Sequence, residues 1–306
     1  MQGARTGHPH RHEPRLPLST YYVLLRRQRA GHGRERPGIC VRLYSEIDYL
    51  KRPTETEPEI FRTNLADVIL RVLAMGYKSV NSFPFPENPS RRLIKDGLNI
   101  LWEIGAIDLK QQITSVGYQI RKFPIDPRLA RVLLEASHRG CLKEILRIVA
   151  ALSINDPRER ASAFREHADR EHRKYRDKRS DLLWFHRAWC RAIAIYKLSP
   201  FKMQKAARRE FLSDSRLKEW VLLEKQLRKK CLENGLFINK EAATYKNVHV
   251  SIAAGFPSSL AKIGQDAYLG CRDSMFTLHP NSCLRKRKPN WIIALDVVET
   301  ENSYAR

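Results

Sequence analysis

The sequence lacks any hydrophobic run that could cross a membrane. Its 306 residues contain only short apolar blocks, and the longest are 148–154 and 291–295. A transmembrane helix needs about 18 or more consecutive apolar residues, so we exclude one. Residues 1–18 also lack the apolar core of a secretory signal, and we expect a cytoplasmic protein. Because that segment is rich in Arg and poor in acids, an organelle transit peptide is the alternative.

Paired cysteine motifs are also missing. The six cysteines are scattered, without a CxxC pair: Cys40, Cys141, Cys190, Cys231, Cys271 and Cys283. This spacing argues against a disulfide framework and a four-cysteine zinc site, and it predicts buried, reduced thiols. The histidine cluster at 8–12 has no neighbouring element that would fix the imidazoles, so we predict no metal site.

Acidic residues are in the minority. Lys and Arg number 56 against 33 Asp and Glu, which gives a formal net charge of +23. Such a charge attracts polyanions, most simply nucleic acid. The alternative is a solvated basic surface without a specific partner. Hydrophobic residues make up 42% of the chain, which is enough to build folded cores.

The order of the periodic segments predicts a mostly α chain with a β end, an α+β class. Residues 1–37 are predicted to be a disordered basic arm, since they are rich in Pro, His, Arg and Gly. Residues 38–57 are predicted to hold one strand, at 39–44, and an acidic linker. Residues 58–123 have the size and order of a winged helix, with helices from about 58 to 75 and from about 90 to 104. A small hairpin and a third helix, capped by Thr114, complete it.

Residues 124–238 are predicted to form a helical bundle. Asp126 is a typical N-cap, and Pro127 suits the first helical position. Five tryptophans lie in apolar periods and are predicted to pack in cores: Trp102, Trp184, Trp189, Trp220 and Trp291.

Residues 239–306 change to short β-branched and aromatic runs. The predicted strands cover 248–252, 267–269, 275–278 and 291–298. Because Pro, Gly and Asn separate them, we expect a small β-barrel.

Several short blocks are distinctive, such as Pro-Ile-Asp-Pro-Arg-Leu-Ala-Arg and Leu-Ser-Ile-Asn-Asp-Pro-Arg-Glu-Arg. The blocks lie at 37–45, 62–66, 124–131, 152–160, 276–282, 289–291 and 298–300. In order and spacing they resemble the C-terminal half of DEAH-box RNA helicases, most of all the bacterial HrpA type, over residues 28–306. The resemblance implies the last strand of a RecA-like lobe, a winged helix, a helical ratchet bundle and an OB-fold. It also implies that the OB-fold is truncated at its C-terminus, with an unpaired strand edge.

The motor of that family is missing. The family binds ATP with Mg²⁺ through a Gly-rich loop ending in Lys-Ser/Thr and an acidic motif at a strand end. No Gly-Lys-Ser/Thr occurs in this sequence, and no apolar strand precedes the DEAH-like residues 169–172. We therefore predict that the chain alone uses no cofactor and does not hydrolyse ATP.

One remnant of the motor resembles helicase motif VI. The resemblance matches Gln28, Arg29 and Arg34, whose counterparts reach ATP phosphates in the family. His32 stands where the pattern has Arg, and a neutral imidazole does not replace a guanidinium. The alternative is a basic loop without a role in ATP chemistry.

Single-stranded RNA, or another nucleic acid, is the predicted partner. Phosphates need Lys and Arg, and OB-fold loops are frequent binding surfaces. The first candidates form a basic run between two predicted strands: Arg285, Lys286, Arg287 and Lys288. Arg272 and Ser282 match positions near the RNA surface of the family's OB-fold. The missing helicase core is a second expected partner.

The bundle offers further candidates. A dense basic run comprises Arg173, Lys174, Arg176, Lys178 and Arg179. It is either the lining of an RNA channel or a plain exposed face. Arg158 and Arg160 are predicted to contact either RNA or structural carboxylates. A basic stripe at helical spacing comprises Lys202, Lys205, Arg208 and Arg209.

These observations predict a fragment of an HrpA-like helicase that keeps the accessory RNA-binding domains without the ATPase core. The alternative is a decayed or mis-called gene product that acts, if at all, as an interaction module.

Overall fold

The computed structural model describes residues 45–51, 64–299 and 303–305. Contacts divide the chain into two units, Met1–Glu59 and Ile60–Arg306. The described part of the first unit is mainly one short helix, α1 (Glu46–Lys51), within residues 38–57, for which we predicted a strand and an acidic linker. The predicted strand at 39–44 and the motif VI remnant Gln28, Arg29 and Arg34 lie outside the described residues.

The second unit begins with the predicted succession of two helices, a hairpin and a third helix. These helices are α2 (Ala66–Ala74), α3 (Arg91–Glu103) and α4 (Ser115–Ile120). Ser90 caps α3 by accepting a hydrogen bond from the backbone N–H of Leu93, and Thr114 caps α4 through Gly117. Side-chain caps of this kind satisfy N–H groups that have no partner inside the helix, so these starts were predictable from sequence.

A helical bundle follows. Its helices are α5 (Pro127–His138), α6 (Leu142–Leu152), α7 (Arg165–Arg173), α8 (Leu183–Tyr196), α9 (Pro200–Arg209), α10 (Asp214–Glu233) and α11 (Tyr245–Gly255). Asp126 caps α5 and Pro127 opens it, as predicted. Trp184, Trp189 and Trp220 are buried, and the rings of the last two meet edge to face with centroids 5.2 Å apart. Such aromatic pairs add stability beyond the apolar area that they bury.

Helix α11 corrects one prediction, because residues 248–252 are helical and not a strand. The alternating sequence also fits a helix: Val248, Ser251, Ile252 and Gly255 are buried at helical spacing. Gly255 allows close packing on α5, since a Cβ there would lie 2.3 Å from the carbonyl oxygen of Arg128. The hydrophobic pattern of five residues does not distinguish a helix from a strand. Thr244, a typical N-cap residue, indicates the helix better.

The β end contains short strands. They are β1 (Leu260–Ile263), β2 (Tyr268–Leu269), β3 (Met275–Leu278), β4 (Trp291–Ile293), β5 (Val297–Glu299) and β6 (Ser303–Ala305), in the sheet order β4-β1-β2-β3-β6-β5. The run predicted at 291–298 is therefore two strands with a break. Strand β6 pairs in parallel with β3 through Thr277 and Tyr304. The expected C-terminal truncation of this end, with an unpaired strand edge, stays a prediction.

Two tryptophan predictions are wrong. Trp102 is 53% exposed and Trp291 is 61% exposed. In α3 the buried positions include Ile94 and Leu101, and in β4 Ile292 points inward, so each tryptophan lies on the solvent side of an amphipathic element. Cys190 and Cys271 are also exposed, against our expectation of buried thiols, and the described cysteines are unpaired. Within the described residues, no helix combines the length and the apolar character needed to cross a membrane.

Candidate nucleic-acid interface

The structure joins two of the predicted basic regions. We call residues 173–179 the basic segment and residues 279–290 the β3–β4 loop. Asp181, two residues after the basic segment, accepts hydrogen bonds from Ser282 Oγ at 2.6 Å and from the backbone N–H of Cys283 at 2.9 Å. Arg176 donates to the carbonyl oxygen of Asn281 at 3.0 Å. These contacts hold the loop beside the segment although more than 100 residues separate them in sequence.

Ser282 therefore lies at the junction of the two regions. Its hydroxyl donates to Asp181 and accepts from the backbone N–H of Leu284 at 3.2 Å. Both interactions position the loop. We predicted Ser282 as an RNA contact, and that role stays untested.

The basic segment is fixed against helix α11. The guanidinium of Arg179 lies 4.2 Å from the ring centroid of Tyr245, and the hydroxyl of Tyr245 donates to the carbonyl oxygen of Arg179 at 2.9 Å. His249 stacks on the Tyr245 ring and lies 2.8 Å from Ser180 Oγ through Nε2. Burial lowers the pKa of His249, so its imidazole is neutral at pH 7.

A buried carboxylate shapes the backbone of the segment. Asp177, which is 5% exposed, pairs with Arg187 and accepts from the backbone N–H of Arg179 at 2.7 Å. Arg187 also donates to the carbonyl oxygen of Arg176 at 2.9 Å. These contacts fix the chain path and leave the cationic side chains of the segment at the surface.

The cations of the segment are exposed. This holds for Arg173, Lys174, Arg176, Lys178 and Arg179. Lys174 pairs with Glu171, and this hydrogen bond raises the pKa of Lys174. In the described part of the chain, Arg173 and Lys178 have no carboxylate at salt-bridge distance, so no ion pair within these ranges neutralises their charge.

The β3–β4 loop also presents unneutralised cations. The side chains of Arg285, Lys286, Arg287 and Lys288 are exposed. Among the described residues, none of the four takes part in a salt bridge. The loop is held at both ends, by Asp181 at one and by the Tyr268 hydroxyl, which donates to the Pro289 carbonyl oxygen at 2.8 Å, at the other. Arg272 lies in a single helical turn, and its side chain is outside the described residues.

Two predicted residues contact carboxylates. Arg158 is hydrogen-bonded to Asp156 through Nε and Nη2, and its guanidinium lies 4.9 Å from the ring centroid of Trp184. Arg160 pairs with Asp169 at 2.7 Å, and the hydrogen bond from Arg160 lowers the pKa of Asp169. Both arginines therefore contact structural carboxylates, one of the two roles that we predicted for them. Contact with RNA, the other role, stays untested.

The described residues do not assemble a group that could hold a metal ion. No group of three His, Cys, Asp or Glu side chains in the described ranges could hold a metal ion. The DEAH-like residues 169–172 lie inside α7, where His172 is buried against the carbonyl oxygen of Phe211 at 3.0 Å. Burial, together with Asp181, raises the pKa of Cys283 to about 12, so this thiol remains protonated.

Comparisons with known proteins agree with this architecture. The family model described as a helicase associated domain (HA2), ratchet-like, matches residues 126–185, and the HA2 winged-helix model matches residues 97–125. The ATP-dependent RNA helicase HrpA of Escherichia coli (strain K12) is 40% identical over 301 residues, which cover 95% of this chain and 23% of that protein. The chain matches the HA2-containing part of HrpA-type DEAH-box RNA helicases. This confirms the resemblance found in the sequence.

Other relatives extend the match beyond one species. The HrpA homolog of Haemophilus influenzae is 40% identical over 304 residues, covering 95% of this chain and 23% of that protein. The probable ATP-dependent RNA helicase DHX35 of Homo sapiens is 32% identical over 286 residues, covering 91% of this chain and 40% of that protein. The chain thus spans less than a quarter of the length of the bacterial relatives. The basic segment lies inside the HA2 ratchet match.

Sequence reasoning missed the residues that bring the two basic regions together. Asp181, Tyr245 and His249 hold the basic segment and the loop, but each acts on a group that is distant in sequence. No local sequence pattern marks such contacts.

Proposed function

We propose that the chain binds single-stranded RNA through the basic segment and the β3–β4 loop. The supporting observation is the contact of Asp181 with Ser282 and Cys283, which places two sets of exposed, unneutralised cations side by side. Lys and Arg bind phosphates by displacing counterions, so adjacent free cations raise affinity for a polyanion. The relatives are named RNA helicases, which favours RNA as the polyanion.

We infer that the β end is an OB-fold. With β4 and β5 taken as two halves of one strand, the order is a five-stranded Greek key in which β3 and β6 are parallel. The β3–β4 loop then lies at the rim of a barrel. OB-folds frequently bind oligonucleotides, which supports the proposed partner.

We also propose that the chain alone does not hydrolyse ATP and that a helicase core is its protein partner. The absent Gly-Lys-Ser/Thr loop supports the first statement. Purified chain should show no Mg·ATP turnover above background, and saturable turnover by the pure chain would overturn it.

Unpaired cysteines in the described residues support a reducing cytoplasmic location.

The first experiment is a titration of a fluorescent single-stranded RNA of about 15 nucleotides at two salt concentrations, read by anisotropy. The test variant is Arg285→Gln, Lys286→Gln, Arg287→Gln. The control is Lys218→Gln, Lys229→Gln, Lys230→Gln, which removes the same charge from α10. Each phosphate contact contributes about 0.7 to the slope of log affinity against log salt concentration. The loss of three contacts should therefore weaken binding about 100-fold at 0.1 M salt.

The control variant should bind like the native chain. Equal losses in the two variants would show that only net charge matters and would refute the proposed surface. Absence of binding by the native chain at low salt would favour an interaction module or decayed product.

A further inference from the structure

Helix α9 carries cations that the proposed interface does not use. The side chains of Lys202, Lys205, Arg208 and Arg209 are exposed. Within the described ranges, none of the four pairs with a carboxylate. The acid nearest in sequence, Glu210, is already paired with Arg191.

Lys202 and Lys205 do not serve the stability of the helix. The first turn of α9 holds Lys202 and no acidic residue, although the N-terminal end of a helix favours negative charge. Lys205 is three residues from both Lys202 and Arg208, and like charges at this spacing repel each other. Arg208 and Arg209 in the last turn are favourable, but they leave the other two unexplained.

An aromatic side chain lies on the same face. Phe201, Lys205 and Arg208 follow the i, i+4, i+7 spacing of one helix stripe. Phe201 is 75% exposed, whereas Met203 and Ala207 bury the opposite face against the bundle. An exposed ring beside cations combines the two groups that bind single strands: a stacking platform for a base and charges for phosphates.

The C-terminal end of helix α9 lies near the basic segment. The carbonyl oxygen of Phe211, two residues after α9, lies 3.0 Å from Nε2 of His172. The basic segment begins at the next residue, Arg173. The C-terminal end of α9, which carries Arg208 and Arg209, therefore lies near the end of the segment opposite to the β3–β4 loop.

We propose that α9 is a second contact surface for single-stranded nucleic acid, with phosphates on its cations and a base on Phe201. The inference rests on the proposed function and lengthens the binding track beyond the basic segment. A helix of 10 residues adds about 15 Å to that track. A long strand should use this surface, and a strand confined to the segment and loop should not.

The test compares RNAs of about 8 and about 20 nucleotides, sizes within and beyond one OB-fold site. The variant Lys202→Gln, Lys205→Gln, Arg208→Gln should lower the log–log salt slope for the long RNA by about 2, at about 0.7 per contact. The α10 control Lys218→Gln, Lys229→Gln, Lys230→Gln should leave that slope unchanged. Equal slopes for the α9 variant and the control would overturn the inference and direct attention to an acidic protein as the partner of α9.

A second variant separates stacking from charge. Phe201→Ala should weaken binding of the long RNA by about 5- to 150-fold, the range found for one stacked base, without changing the salt slope. Leu232→Ala, which removes another exposed apolar side chain, is the control. Native affinity in Phe201→Ala would contradict the stacking role. A loss in the β3–β4 loop variant without any loss in the α9 variants would leave the proposed function intact and reject only this inference.

Discussion

Helix α10 and the β3–β4 loop are both rich in cations, but their charges have different surroundings. Four of the six α10 cations pair with acidic residues: Lys218 with Asp214, Arg228 with Glu224, and Lys229 and Lys230 with Glu233. Asp214 lies in the first turn and Lys230 in the last, as the helix dipole favours. The loop cations have no such neighbours within the described residues. The difference separates charges that stabilise the fold from charges available to a partner, a distinction that net charge alone hides.

The largest expected effect on stability is at the most buried of the α10 pairs. Arg228→Ala leaves the Glu224 carboxylate, 3% exposed, without its partner. We expect a loss of about 2–3 kcal/mol in the free energy of unfolding, below the 3–5 of a fully buried pair because Arg228 is partly exposed. RNA affinity of the folded protein should not change. Urea unfolding and anisotropy measure the two quantities.

A double replacement is the control for that prediction. Glu224→Met with Arg228→Met removes both charges and keeps the volume, so most of the stability should return. If RNA binding fell with Arg228→Ala under conditions where the protein is folded, the separation between the two kinds of charge would be wrong.

The contact between the two basic regions should affect binding more than folding. Asp181→Ala removes the acceptor for Ser282 and Cys283 at an exposed position. We expect RNA affinity to fall on the order of tenfold, about 1.5 kcal/mol, which is the lower end of the range for one hydrogen bond to a charged group. The melting temperature should change little. Ser282→Ala, which removes one of the two bonds, should have a smaller effect in the same direction, and native affinity in both variants would refute the role of this contact.

Part of this architecture was predictable from sequence because the signals are local. The caps at Ser90, Thr114 and Asp126 and the apolar periods of α3 and α5 predicted those helices. The two runs of basic residues were also evident in the sequence. Their function as one surface was not, since Asp181 and Tyr245 connect parts of the chain that only the fold brings together. The role of Arg158 was also not predictable from sequence, because it depends on the Trp184 ring that the fold places beside its guanidinium, in addition to Asp156.

The anchoring of the basic segment on α11 predicts a pH effect. Burial lowers the pKa of His249 below its ordinary value of 6.5, so the unfolded chain binds the proton more readily than the folded chain. Stability should therefore fall as the pH decreases below about 6.5. His249→Gln should reduce this dependence between pH 7.5 and 5.5 in thermal melts. His167→Gln, at an exposed position, is the control, and an unchanged dependence in His249→Gln would contradict the prediction.

The smallest expected effect on stability is an increase, at Lys202 in α9. Lys202→Glu places an acid in the first turn of α9, where the helix dipole favours it, and should raise stability by about 0.3–1 kcal/mol. The same change should weaken binding of long RNA, because it replaces a proposed phosphate contact by a repulsive charge. Asp214→Lys, the inverse change in the first turn of α10, should lower stability by a similar amount without weakening RNA binding. Stability and affinity would then move in opposite directions in α9, which is expected only if its charges are placed for a partner at the expense of the helix. A Lys202→Glu variant that loses stability, or keeps native RNA affinity, would remove the distinction between the two helices.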